Sequence, residues 1–111
     1  MLLVTGGYLM NKAHSIDDVK IQLISSIKHI CHYWASLPNK SDIDRCEGVA
    51  FSILNIIDGT SSRLPSMDLV LRPHPDDMKF NLDNGNDYYE DGMVINADCY
   101  LHDMLFGGEN D

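Results

Sequence analysis

His74, Pro75, Asp76 and Asp77 put one imidazole and two carboxylates within four residues. Those donor types can hold a divalent cation, and a cation held that way can activate water for hydrolysis. The preceding segment, MDLVLR at 67–72, alternates apolar and polar residues as a strand does. The same four residues have a simpler reading. Pro73 and Pro75 end the strand, and Pro75 suits the first position of a helix. Asp76 and Asp77 then suit its first turn, where carboxylates complement the helix dipole.

Three other groupings could do chemistry. His29 and His32 stand three apart on a predicted helix with Cys31 between them, a spacing that zinc ligands use. Cys31 falls near the apolar face, where a thiol acts as a small core residue. Asp83, Asn84, Gly85, Asn86 and Asp87 have calcium-loop composition. The EF-hand pattern fails, because counting from Asp83 its glycine and glutamate positions hold Tyr88 and Val94. The last grouping is Asp83, Asp87, Tyr88, Tyr89, Glu90 and Asp91. Tyrosines set in acid are a common way to build an interface with a basic partner. The competing reading packs both rings down and leaves only the carboxylates in water. No G-x-S-x-G, G-x-G-x-x-G or P-loop is present.

These groups need elements to place them. Ser15 caps a helix that starts with Asp17 and Asp18, and Pro38 stops it. Its apolar stripe is Ile16, Val19, Leu23, Ile27, Ile30, Trp34 and Leu37. Ser41 caps a second helix with Ile43, Cys46, Ala50, Ile53, Leu54 and Ile57 on one face. Val49 and Phe51 widen that face. Gly48 in its middle predicts close helix packing, and Asp58-Gly59 predicts a left-handed end. The short link from Leu37 to Ser41 makes the two helices an antiparallel hairpin. Further on, the pattern predicts a short helix at PDDMKF, a second strand at 93–96 and a closing helix at 98–106.

The expected fold is therefore α+β: an antiparallel helical hairpin packed on a small sheet and an irregular C-terminal segment. Residues 1–14 read as a flexible extension, 15–106 as a single domain and 107–111 as a tail. The wide face of the second helix suits a homodimer.

The chain has 111 residues with 17 acidic and 8 basic side chains, a net charge of -9. That balance repels phosphate backbones and anionic membranes, so the expected partner is a basic or cationic protein surface. Cys31, Cys46 and Cys99 are dispersed and odd in number, which implies free thiols and a reducing, cytoplasmic setting. No apolar run reaches the roughly 20 residues of a membrane span.

Two resemblances add expectations. The string HPDD resembles the motif of the LmbE/PIG-L zinc-dependent deacetylases. That likeness implies zinc on His74 and Asp77 and a base at Asp76, with His102 in LHD as the late histidine. Met78 stands where that family has glutamate, and the family's domain is longer. More broadly, CHYWASLPNK, RCEGVAFSILNIIDG, LVLRPHPDD and DCYLHDMLF are similar to a group of short bacterial and phage-borne proteins. That likeness spans residues 31–106 and implies that HPDD belongs to a whole-domain signature. It also implies a phage or prophage setting, where small acidic proteins inhibit host defence or nucleic-acid enzymes. The preferred expectation is thus a non-enzymatic binding module without a cofactor. The alternative is a metal-dependent hydrolase built on HPDD, with zinc on His74, Asp77 and His102.

Overall fold

The computed structural model describes residues 11–106. Helix α1 runs Ile16–Ser36, α2 Asp42–Asp58, α3 Asp77–Asp83 and α4 Leu101–Phe106. The first two begin where their caps dictate. The Ser15 hydroxyl accepts the Asp18 N–H at 3.0 Å, and the Asp18 carboxylate accepts the Ser15 N–H at 3.0 Å. Those bonds hold the Asp18 carboxyl below its ordinary pKa, the backbone N–H of Ser15 contributing most. The Ser41 hydroxyl accepts the Asp44 N–H at 3.1 Å. Helix α2 ends on Gly59 at φ 84°, in the left-handed region predicted for it.

Helices α1 and α2 form the antiparallel hairpin. Gly48 presses on Trp34 so closely that a Cβ built there would collide with the indole carbons. One turn later the indole N–H donates to the Ser52 hydroxyl at 3.0 Å. At the turn, Arg45 donates to the Leu37 carbonyl at 2.8 Å and so closes the C-terminal end of α1. Helix α4 packs on another face of α2, where Phe51 stacks on Phe106 at 5.6 Å between centroids. The wide stripe of α2 thus has two neighbours within its own chain. Helix α3 packs on none of the other described helices.

The expected α+β class is corrected. The described chain is 53% helical with 2% strand and no sheet. The 67–72 and 93–96 segments are extended and do meet, but through one antiparallel bridge, Val70 to Val94. Three backbone bonds flank it: Leu71 N–H to Met93 O, Ile95 N–H to Leu69 O and Gly92 N–H to Leu71 O, at 2.8, 2.8 and 2.9 Å. Beyond Ile95 the side chain of Asn96 replaces the backbone, accepting from Leu69 N–H and donating to Met67 O at 3.0 and 2.9 Å. An amide side chain cannot extend a ladder, and Pro73 removes a donor at the other end. Alternation revealed extended backbone but not a sheet.

The predicted short helix starts later than expected. Its first residue is Asp77, its N-cap is Asp76, and no side chain caps it. Of the predicted extension, residues 1–10 lie outside the described residues, as does the 107–111 tail. Residues 11–14 carry no regular structure.

Ile56 and Leu64 are the buried hydrophobic residues among those described. Stripe members at the hairpin's ends are exposed, as Ile16 and Ile43 show. Cys31, Cys46 and Cys99 are free and exposed, so the core placement expected for Cys31 and Cys46 does not hold.

Candidate functional site

Asp58 ends α2 on the same side as Phe51 and Leu54, and its side chain has 0% exposure. A carboxylate that far from water needs donors. It finds them 44 residues later, at the start of α4. Its Oδ2 accepts the His102 backbone N–H at 2.9 Å and the His102 Nδ1–H at 2.7 Å. The Asp58 carboxyl lies below its ordinary pKa. Burial pushes it up, and the bonds from His102, with the nearby Leu101 N–H, bring it down further than burial raises it. Its Oδ1 is buried with no hydrogen-bond partner among the described residues.

The imidazole of His102 is held on every side. Phe51 meets it edge-on at 5.5 Å and Tyr100 lies tilted over it at 5.4 Å. Its Nε2 faces Asp103 Oδ1 at 3.3 Å, and the side chain is only 12% exposed. Asp58 and His102 therefore act as a clasp that fastens the C-terminal segment to α2. Sequence reasoning placed His102 in a candidate metal set and treated Asp58 as part of a helix end. The missed signal was the position of Asp58, a charged residue on the apolar side of α2.

The HPDD segment is a turn. Asp77 N–H donates to the His74 carbonyl at 3.0 Å, and Asp76 N–H donates to His74 Nδ1 at 3.1 Å. One ring nitrogen of His74 is thereby committed to the backbone. The ring is 68% exposed and Asp76 more so. Among the described residues no group of three His, Cys, Asp or Glu side chains is placed to hold a metal ion. His74 and Asp77 are thus not gathered with His102, whose Nδ1 is occupied by Asp58. The His29 and His32 pair gains no further ligand either.

The acidic segment is arranged differently. Lys79 pairs with Asp83 at 2.7 Å and Arg72 with Asp91 at 3.6 Å, one pair at each end. Between them Asp87, Tyr88, Tyr89 and Glu90 face solvent, with Tyr89 76% exposed. The Tyr89 ring lies largely in water, and Tyr88 is about two-fifths exposed. Asp87 and Glu90 have no ion pair among the described residues.

No helix of the described residues is long and apolar enough to cross a membrane. Comparison of the chain with protein-family models, curated proteins and solved structures finds no match.

Proposed function

We propose that this chain is a non-enzymatic binding module whose acidic, tyrosine-bearing segment at 83–91 meets a basic protein surface. The observation that carries the reading is the exposure of Tyr88 and Tyr89 beside the unpaired Asp87 and Glu90. Two exposed aromatic rings cost contact with water and offer large rigid contact area to a partner. The carboxylates around them raise the encounter rate with a cationic surface. The Arg72–Asp91 pair ties the far end of the segment to the extended 67–72 stretch, which restrains it before it binds and lowers the entropy cost of ordering it. An enzyme that handles nucleic acid has a basic groove of the complementary sign, which fits the inhibitor role suggested by the phage-borne likeness.

The test uses a lysine- and arginine-rich peptide as the basic probe, with fluorescence anisotropy over a salt series. The Asp87→Asn, Glu90→Gln, Asp91→Asn variant should lose most of the affinity and flatten the salt dependence. Tyr89→Ala should weaken binding at every salt concentration with the slope unchanged. Unchanged affinity and slope in the triple variant would remove this segment as the binding face.

A further inference from the structure

On the seam between α1 and α2 lies a groove of about 450 Å³, away from the acidic segment. Ser26, His29, Ser52, Ser61, Ser62 and Arg63 line it, and no carboxylate does. Arg63 has no ion pair among the described residues, as is also true of Lys12, Lys28 and Lys40; of the arginines, Arg45 and Arg72 each have one and Arg63 does not.

The hydroxyls decide what the groove offers. Ser26 Oγ accepts from Gln22 Nε2 at 3.0 Å, Ser52 Oγ from the Trp34 indole at 3.0 Å, and Ser61 Oγ from the Arg63 N–H at 3.3 Å. An indole N–H, an amide NH₂ and a backbone N–H can only donate. Each serine oxygen is therefore used as an acceptor, and each keeps its own O–H to donate. Serines within helices commonly return that proton to the carbonyl four residues back. Neither Ser26 nor Ser52 does so here, and the three hydroxyl protons have no acceptor among the described residues. Ser26 is only 4% exposed, so water reaches its hydroxyl poorly.

We infer that this groove binds a phosphoryl oxyanion. A phosphomonoester has three terminal acceptor oxygens, and above its second pKa, about 6, none of them carries a proton that needs an acceptor. Three hydroxyl donors and an unpaired guanidinium match it, and guanidinium with phosphate makes a strong charge-assisted pair. The volume has room for a small metabolite that carries the phosphoryl group. The bound group would satisfy the donors at 26, 52 and 61 together, and so tie the 60–63 loop to the hairpin.

The experiment is a titration of the full ¹⁵N-labelled chain with inorganic phosphate, with adenosine monophosphate, and with sodium chloride at matched ionic strength. The amides of Ser26, Ser52 and residues 60–63 should shift saturably with phosphate and not with chloride. Arg63→Ala should weaken binding at least tenfold with an unchanged melting temperature, because that side chain makes no ion pair. Arg63→Lys should recover part of the loss. Ser26→Ala and Ser52→Ala should each weaken binding severalfold. Tighter binding of the monophosphate would identify a phosphorylated small molecule as the source, and equal binding would identify free phosphate. Shifts that never saturate, that chloride reproduces, or that Arg63→Ala leaves intact would overturn the inference.

Discussion

Asp58 and Asp87 are the same residue type in one acidic chain, and the structure uses them in opposite ways. Asp58 is sealed from water and answered by two bonds from His102. Asp87 is exposed to water, next in the chain to two tyrosines, and has no ion pair among the described residues. The first turns charge into architecture, since a buried carboxylate specifies which segment must sit on α2. The second leaves its charge available to something outside the chain. Net charge alone does not separate them. Burial and donor count do.

The comparison breaks most visibly at the clasp. Asp58→Ala removes the acceptor for the N–H at the start of α4 and leaves the His102 ring buried against Phe51 and Tyr100 without its partner. Breaking a buried pair by deleting one member costs about 3 kcal/mol or more. Urea denaturation should show the unfolding free energy fall by that amount, with the midpoint moving to lower urea, and far-UV circular dichroism should keep the α1 and α2 signal. A wild-type midpoint would mean that the clasp contributes no stability.

The next effect in size tests the hairpin that the clasp relies on. Gly48→Ala brings a Cβ into collision with the indole carbons of Trp34, so the ring must shift, which strains its bond to Ser52. Overpacking of this kind costs about 2 kcal/mol. Thermal melting gives the loss, and a red shift of Trp34 emission, the chain's one tryptophan, reports the displacement. Gly48→Ser should be at least as damaging.

Acid separates the two aspartates a third way. The Asp58 carboxyl is lowered in the folded state, so the unfolded chain binds the proton more tightly. Stability from this group is therefore complete above the ordinary carboxylate value, near pH 4, and is lost as pH falls through the lower folded value. Unfolding free energy measured from about pH 6 downward should drop more steeply for the native chain than for Asp58→Asn. Parallel curves would show that Asp58 is not the group being titrated.

How much of this was legible beforehand follows from the range of each interaction. Ser15 with Asp18, Ser41 with Asp44, and Asp58-Gly59 act within four residues, so the boundaries of α1 and α2 could be read locally. Gly48 was legible as a close approach, though not that Trp34 was the ring it meets. The sheet was misread because alternation in MDLVLR records one strand's faces and nothing about its partners. MVIN is four residues long, and Asn96 finishes its pairing with a side chain. The clasp joins residues 44 positions apart, and its only local trace is a charge on the apolar side of α2. The acidic segment was legible from composition, because exposure is what a run of carboxylates requires.

The smallest effect is the one that completes the contrast. Asp87→Asn with Glu90→Gln touches no ion pair and no packed ring among the described residues. Surface changes away from such features stay within about 0.5 kcal/mol. Lowering a net charge of -9 also relieves self-repulsion, so any shift should be slightly stabilising and should vanish in high salt. The variant should therefore match the native urea midpoint while losing affinity for a basic peptide. If its stability fell by 2 kcal/mol instead, these carboxylates would hold the fold together as Asp58 does. The distinction between an acid that builds and an acid that binds would then fail.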